Sequence, residues 1–244
     1  MLVMALLRAV EYHRPLSCSG LSVFQCWEQG VAINGMSTPS ILNPDYREFV
    51  VNVILGYACS VGPSVLSLGC GIGVTEEVLQ RRGLRVLATD VNGVAVKLAR
   101  DKGLDARVID AMQPGVCGLK FDMVYCDGLM GHMWDTVDRY DRFLANVSAV
   151  LDTRGVLIAS NDLSDCLTSY STGVTGHANS GFFRGSVDYM RMVTSRVNGL
   201  HHLADWNYQY NRPSRGRRWR QVSVMSFGDS HAATSTRYHC STIG

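Results

Sequence analysis

Gly69, Gly71 and Gly73 stand at alternate positions in Val-Leu-Ser-Leu-Gly-Cys-Gly-Ile-Gly (65–73), and Asp90 ends a second apolar run, Val-Leu-Ala-Thr-Asp. Glycines serve where backbone must approach a ligand or φ turns positive, because a Cβ would fill the space or strain the loop. A carboxylate offers two acceptor oxygens, which match the paired hydroxyls of a ribose. A strand that breaks into glycines, a helix, and a second strand ending on an acid together form the arrangement by which an α/β sheet holds a nucleoside cofactor.

The spacing narrows the cofactor. A dinucleotide fingerprint has glycines at its first, third and sixth positions, the last so that helix and strand can close on a pyrophosphate. Here those positions are Gly69, Gly71 and Val74, and the third glycine is Gly73. This G-x-G-x-G form resembles motif I of the class I S-adenosylmethionine-dependent methyltransferases, in which the loop wraps the amino-acid end of the cofactor. The resemblance covers about 44–226. It implies cofactor contacts at Gly69, Cys70, Gly71 and Gly73, at Asp90 and Val91, and at Asp110, whose carboxylate would lie near the adenine amine with Ala111 and Met112 on the ring. A turn residue after the third strand is the other reading of Asp110.

Phe121-Asp-Met-Val-Tyr-Cys-Asp127-Gly-Leu-Met-Gly-His132 occupies motif IV, at the carboxyl end of the fourth strand where ligands gather in open α/β sheets. Asp122 only starts the strand, whereas Asp127 is expected at the cofactor. Asp127 departs from the Asn-Pro-Pro-Tyr signature of base and glutamine N-methyltransferases, and the segment is nearer that of small-molecule enzymes. His132 is the candidate general base for a hydroxyl, carboxyl or amine, with packing at a helix start as its alternative. Methyl transfer needs little acid–base chemistry, because the sulfonium is already activated; the protein mainly aligns the reactants and excludes water. No metal is required, and His177, His201 and His202 show no metal-ligand spacing.

Acceptor recognition falls to segments outside the loop. Trp27 and Tyr46 are expected to help close the pocket, with plain core as their other reading, and His177-Ala-Asn-Ser-Gly-Phe-Phe-Arg184-Gly sets a histidine, two aromatics and an arginine in a glycine frame. Arg184 suits a carboxylate or phosphonate, held bidentately, with a solvated loop arginine as the other reading. The basic stretch 210–220, with Arg212, Arg215, Arg217, Arg218 and Arg220 among Tyr210 and Trp219, suits RNA by phosphate contacts and stacking, or is a solvated hairpin that protects a sheet edge.

The elements that must position these residues alternate along the chain. Asn43-Pro44-Asp45 starts a helix with Phe49, Val50, Val53, Ile54 and Tyr57 at helical spacing, ending near Ser60. Strand 65–68, helix 74–82, strand 85–89, helix 93–102, strands 106–109 and 121–126, a helix over 135–151 and strand 155–159 follow. Short connections and unbroken apolar strands imply a parallel sheet covered on both faces. A glycine-rich stretch at 161–204, with a helix near 186–197, interrupts this rhythm before an antiparallel hairpin. The predicted fold is therefore α/β: a Rossmann-like, doubly wound, seven-stranded sheet, mostly parallel, with a C-terminal antiparallel hairpin. The expected organisation is an N-terminal cap at 1–43, a methyltransferase domain at 44–228 with a substrate-binding insertion at 161–204, and a mobile tail at 229–244.

Composition fits one such domain. The 244 residues are 46% hydrophobic, enough for one substantial core, and 23 basic against 21 acidic residues give no global field for nucleic acid or membrane. The eight cysteines lack the close pairs of zinc sites, so reduced thiols are expected. The N-terminal Met-Leu-Val-Met-Ala-Leu-Leu-Arg has no basic n-region and is too short to span a bilayer, which reads as a cytoplasmic protein. The function read from the sequence is methyl transfer from S-adenosylmethionine, leaving S-adenosylhomocysteine, to oxygen or nitrogen of a small, acidic molecule of secondary metabolism. The partner is that acceptor, with a homodimer allowed and neither nucleic acid nor membrane expected. The competing readings are an RNA methyltransferase or a non-catalytic RNA-binding module using the 212–220 hairpin, and a NAD-dependent oxidoreductase, which Val74 disfavours.

Overall fold

The computed structural model describes residues 20–31, 38–133, 137–163, 175–177, 182–184, 195, 197, 199–212 and 216–228. The expected mobile tail, most of the expected 186–197 helix and the first residues of the expected cap lie outside them.

Asn43 accepts a hydrogen bond from the Tyr46 N–H at 2.9 Å, and Pro44 occupies the first turn of the helix that follows. This helix, Pro44–Val61, comes after a short one, Val23–Glu28, and the two are α1 (Val23–Glu28) and α2 (Pro44–Val61). The chain continues through β1 (Ser64–Leu68), α3 (Val74–Arg81), β2 (Arg85–Asp90), α4 (Gly93–Asp101), β3 (Asp105–Val108) and β4 (Phe121–Asp127). Then come α5 (Met130–Met133), α6 (Val137–Ser148), β5 (Leu151–Asp162), β6 (Thr175–His177), β7 (Phe182–Arg184), β8 (Leu200–Arg212) and β9 (Gly216–Phe227).

Seven strands form one sheet in the order β3-β2-β1-β4-β5-β9-β8. The first five are parallel, and β9 runs antiparallel to both β5 and β8. The predicted mixed sheet is thus present, with its reversal of strand order between β1 and β4. That reversal opens a crevice at the carboxyl ends of these two strands, where open α/β sheets bind ligands.

Both faces of the sheet are covered. One carries Phe143, Leu144 and Val147 of α6 against Leu66, Val124 and Leu157; the other carries Tyr46, Val50 and Ile54 of α2 against Val65, Met123, Val222 and Val224. Side chains of this type bury about 1.5–3 kcal/mol each, so the two clusters dominate the stability of the domain. The buried stripe of α2 runs Tyr46, Val50, Val51 and Ile54, whereas Phe49, Val53 and Tyr57 flank it half-buried. The stripe is therefore rotated from the predicted one, because Tyr46 enters the core.

Two boundaries differ from expectation. β5 begins at Leu151 and its pairing with β4 shifts register between Phe121 and Met123, so 152–154, expected to link the helix over 135–151 to strand 155–159, is an irregularity inside a longer strand. β5 also continues to Asp162 and β8 starts at Leu200, so both ends of the 161–204 stretch belong to the main sheet.

Candidate active site

β1 ends at Leu68 and the chain turns through Gly69, Gly71 and Gly73 at φ 73°, 54° and 75°, in the left-handed region open chiefly to glycine. The three glycines differ in what surrounds them. A Cβ on Gly73 would sit 2.7 Å from Leu104 Cδ1 and 3.0 Å from Ala99 Cβ, so Gly73 lets the loop seat against α4 and the approach to β3. Gly69 and Gly71 face looser surroundings, with Leu129 at 3.4 Å and Phe24 at 3.8 Å. Gly69 and Gly71 leave the most space beside the backbone for close approach.

Asp90 ends β2 and is buried. Its Oδ2 accepts the Gly71 N–H at 3.0 Å and its Oδ1 the Asn92 N–H at 2.8 Å, so the carboxylate ties the loop to the neighbouring strand. Burial raises its pKa, and the hydrogen bonds from Asn92, Gly71 and Val91 oppose that shift. A carboxylate has about four acceptor positions, which leaves capacity for a ribose hydroxyl. Val91 is 39% exposed beside it. Cys70 is buried, and burial, with Glu76 and Asp90 nearby, pushes its thiol pKa well up and keeps it neutral.

Asp110 lies two residues past β3, half-buried, and its Oδ1 accepts the Met112 N–H at 2.8 Å. The carboxylate therefore shapes the turn that presents Ala111, which is buried, and Met112, which is partly so. Asn146 of α6 fixes the same turn by donating to the Met112 carbonyl at 2.7 Å.

At the ends of β4 and β5 lies a buried polar cluster that sequence reasoning missed. Arg220 of β9 is 2% exposed; its Nη1 donates to Asp162 at 2.8 Å and its Nη2 to Asp127. Its Nε donates to the Tyr46 hydroxyl at 3.0 Å and to Ser160 Oγ at 3.1 Å, and those two oxygens share a short hydrogen bond. Asp127 Oδ2 also accepts from Tyr46 at 3.2 Å and from Tyr125 at 3.3 Å. Burial raises the Asp127 pKa and Arg220 opposes it; burial works against the charge on Arg220, but Asp127, Tyr46 and Asp162 more than offset that.

Three expectations change accordingly. Tyr46, expected to help close the pocket, is fully buried and is a core member of this cluster, its pKa raised by burial. Arg220 leaves the solvated basic hairpin and becomes the cation that joins two strand ends. Asp127, expected at the cofactor, has both carboxylate oxygens engaged by protein donors.

His132 stands on α5, just beyond β4, and its N–H donates to the Leu129 carbonyl at 2.9 Å. The start of α5 is pinned by Asn161 of β5, whose side-chain oxygen accepts the Gly131 N–H at 3.1 Å. The β6–β7 hairpin pairs His177 with Phe182 and Thr175 with Arg184, and β7 runs beside α5. The backbone of the His177 and Arg184 segment is thereby brought to the helix that carries His132. On the other side, Trp27 of α1 packs edge-on against Phe24 at 5.3 Å, in a cluster with Ile72 of the loop and Ala95 of α4.

Glu76, in the first turn of α3, is 2% exposed. Its Oε1 accepts from Ser67 of β1 at 2.6 Å, and its Oε2 has no hydrogen-bond partner among the described residues. Burial lifts its pKa to about 7; the Ser67 hydrogen bond lowers it, and Asp127 and Asp90 add to the rise. Among the described residues no three His, Cys, Asp or Glu side chains group to hold a metal ion. The cysteines among them, at 26, 59, 70, 117 and 126, are free thiols, and no described helix is long and apolar enough to cross a membrane.

The Methyltransferase domain family matches residues 65–155, from β1 into β5. A tabtoxin biosynthesis enzyme of Pseudomonas amygdali pv. tabaci is 32% identical over 213 residues, which are 84% of this chain and 81% of that enzyme. The chain belongs to the class I S-adenosylmethionine-dependent methyltransferases. Two solved structures share this methyltransferase fold. The 1,6-didemethyltoxoflavin-N1-methyltransferase of Burkholderia thailandensis, with bound 1,6-didemethyltoxoflavin and S-adenosylhomocysteine, superposes with a TM-score of 0.61 at 17% identity, covering 93% of this chain and 89% of its own. The magnesium protoporphyrin IX methyltransferase of Synechocystis PCC 6803, with bound S-adenosylmethionine, gives 0.59 at 15% identity over 90% of this chain and 96% of its own. The methyltransferase takes S-adenosylmethionine as cofactor and releases S-adenosylhomocysteine. Its residues fit that group: a left-handed glycine loop, a buried strand-end carboxylate with acceptor capacity to spare, and anionic side chains around a ligand that carries positive charge.

Both overlooked residues had a signal in the sequence. Ser67 interrupts the apolar strand Val-Leu-Ser-Leu, and a buried hydroxyl needs a partner. Arg220 precedes Val222 and Val224 at the two-residue spacing of one strand face, which places it with the core.

Proposed function

We propose that this methyltransferase moves the methyl group of S-adenosylmethionine to an oxygen or nitrogen of a small, acidic molecule of secondary metabolism. The observation that carries this reading is the convergence, at the β1/β4 crevice, of the glycine loop, the buried Arg220 cluster and the helix that bears His132. The kinship with a tabtoxin biosynthesis enzyme supports a small biosynthetic acceptor, and so does the basic residue Arg184 on the hairpin beside α5.

When bound, S-adenosylmethionine supplies an activated methyl on a sulfonium. The chain's own residues do the rest. Gly69, Cys70, Gly71 and Gly73 hold the amino-acid end, Asp90 with Val91 the ribose, and Asp110 with Ala111 and Met112 the adenine. Asp127 borders the cofactor while anchoring Arg220, which ties the ends of β4, β5 and β9 into one rigid floor. Trp27, His177 and Arg184 bind the acceptor, and Tyr46 helps hold Arg220 and Asp127 in the floor. His132 takes the proton from the acceptor as the methyl arrives, and Asn161 keeps its helix in place. A rigid floor matters because much of the rate enhancement in such a transfer comes from alignment.

The test uses methyl-labelled S-adenosylmethionine with pools of small carboxylic acids, phenols and amines, and with total RNA. Label is expected in a small acid, with stoichiometric S-adenosylhomocysteine. His132→Ala is expected to lower kcat by about 10²–10⁴ with the cofactor Kd unchanged, as for loss of a general base. Label in RNA alone, or turnover independent of His132, would overturn the respective part.

A further inference from the structure

Three buried carboxylates surround the glycine loop: Asp90, Asp127 and Glu76. Two are provided for. Asp90 accepts backbone N–H groups from Gly71 and Asn92, and Asp127 is ion-paired to Arg220. Glu76 receives hydrogen bonds from Ser67 and from its own backbone N–H, while its Oε2 has no partner among the described residues at 2% exposure. An isolated buried carboxylate is costly, and the charges of Asp127 and Asp90 oppose it further. Arg220 is already committed to Asp127 and Asp162.

We propose that Glu76 Oε2 receives the α-ammonium group of the methyl donor, with Ser67 holding the other carboxylate oxygen in place. Oε2 lacks a donor that is also cationic. A sulfonium carries charge but no hydrogen to donate, so the ammonium at the amino-acid end is the group that answers both needs. Helix α3 delivers this carboxylate from its first turn, immediately after the loop that lies against the ligand. The inference rests on the reading that the glycine loop holds the donor.

Calorimetry with two ligands separates the two. S-adenosylhomocysteine carries the ammonium; 5′-methylthioadenosine keeps the adenosine and the thioether but lacks the amino-acid end. Glu76→Gln is expected to weaken S-adenosylhomocysteine by about tenfold to a hundredfold, the range for a hydrogen bond to a charged group, and to leave 5′-methylthioadenosine within twofold. Unchanged S-adenosylhomocysteine affinity, or equal loss for both ligands, would overturn the proposal. A wild-type protein that binds neither ligand would overturn the loop reading instead.

If Glu76→Gln does not fold, the wild-type protein decides. Between pH 8 and 5.5 its S-adenosylhomocysteine affinity should fall as Glu76 takes up a proton, with 5′-methylthioadenosine unaffected. The groups facing Glu76 are Ser67, Cys70, Asp90, Asp127 and Tyr125. Cys70 and Tyr125 stay neutral, Asp127 is held by Arg220, and titration of the ribose ligand Asp90 would move both ligands together. Parallel pH profiles for the two ligands would overturn the proposal.

Discussion

Replacing Arg220 by Met is expected to be severe, and its pH dependence carries the diagnosis. The side chains of Asp127 and Asp162 are 10% and 5% exposed, and Arg220 is the cation that both touch. Removing one partner of a buried ion pair costs about 3–5 kcal/mol, and here one removal takes Arg220 from two carboxylates, which places the loss near the upper figure, about 5 kcal/mol. In a domain of this size each kcal/mol shifts Tm by roughly 2–4 °C, so the variant should melt about 10–20 °C lower at pH 8. Without Arg220 the Asp127 carboxyl, whose pKa burial already raises, holds its proton more tightly when folded than when unfolded. The variant's stability therefore falls as pH rises, and its deficit against wild type should be largest at pH 8 and shrink toward pH 5. Adding Asp162→Asn should recover part of the loss, since it removes one of the two charges that Arg220 neutralises. Scanning calorimetry and urea unfolding across pH 5–8 measure all three. A variant within about 1 kcal/mol of wild type at pH 8, or a deficit that does not change with pH, would refute the account of Arg220 as a structural counter-ion.

Two further outcomes follow from the loop. Gly73→Ala forces a Cβ into the left-handed region at φ 75° and 2.7 Å from Leu104 Cδ1, so it should cost roughly 2–4 kcal/mol; Gly71→Ala, whose nearest neighbour is 3.8 Å away, should cost only about 1–2, as urea unfolding will show. Glu76, with a pKa raised from 4.5 to about 7, destabilises the ligand-free fold progressively as pH climbs through that window, by about 3 kcal/mol in all; stability of Glu76→Gln relative to wild type should therefore rise by that amount between pH 4.5 and 8, and a pH-independent difference would contradict it.

The fold was legible because its signals are local. Apolar runs such as Val-Leu-Ile-Ala in β5, glycines that close helices, and the cap at Asn43-Pro44 each fix an element within a few residues, and the alternation of elements then leaves few topologies. The glycine loop with Asp90 was equally plain, since both partners are defined by spacing along the chain. The buried cluster was not, because Tyr46 and Arg220 touch across 174 residues and each has an ordinary local explanation, an aromatic on a helix and an arginine in a basic hairpin. What distinguishes Arg220 is that β9 lies between β5 and β8, and a sheet interior admits an arginine only with its anions. Glu76 was hidden for the same reason, since an acid in the first turn of a helix is ordinarily read as a solvated complement to the helix dipole.

The pairing of Arg220 with Asp127 and Asp162 also sets an order of events during synthesis. A ribosome releases the glycine loop, Asp90, Asp127 and Asp162 well before it releases β9. Until the last strand threads between β5 and β8, the nascent chain holds two acids at the future active site with no cation to join them, and β5 has an open edge. Truncation between Asp162 and Arg220 would thus preserve every residue of the glycine loop and still leave both acids without the arginine that joins them. The strand that completes the sheet is the one that completes the site.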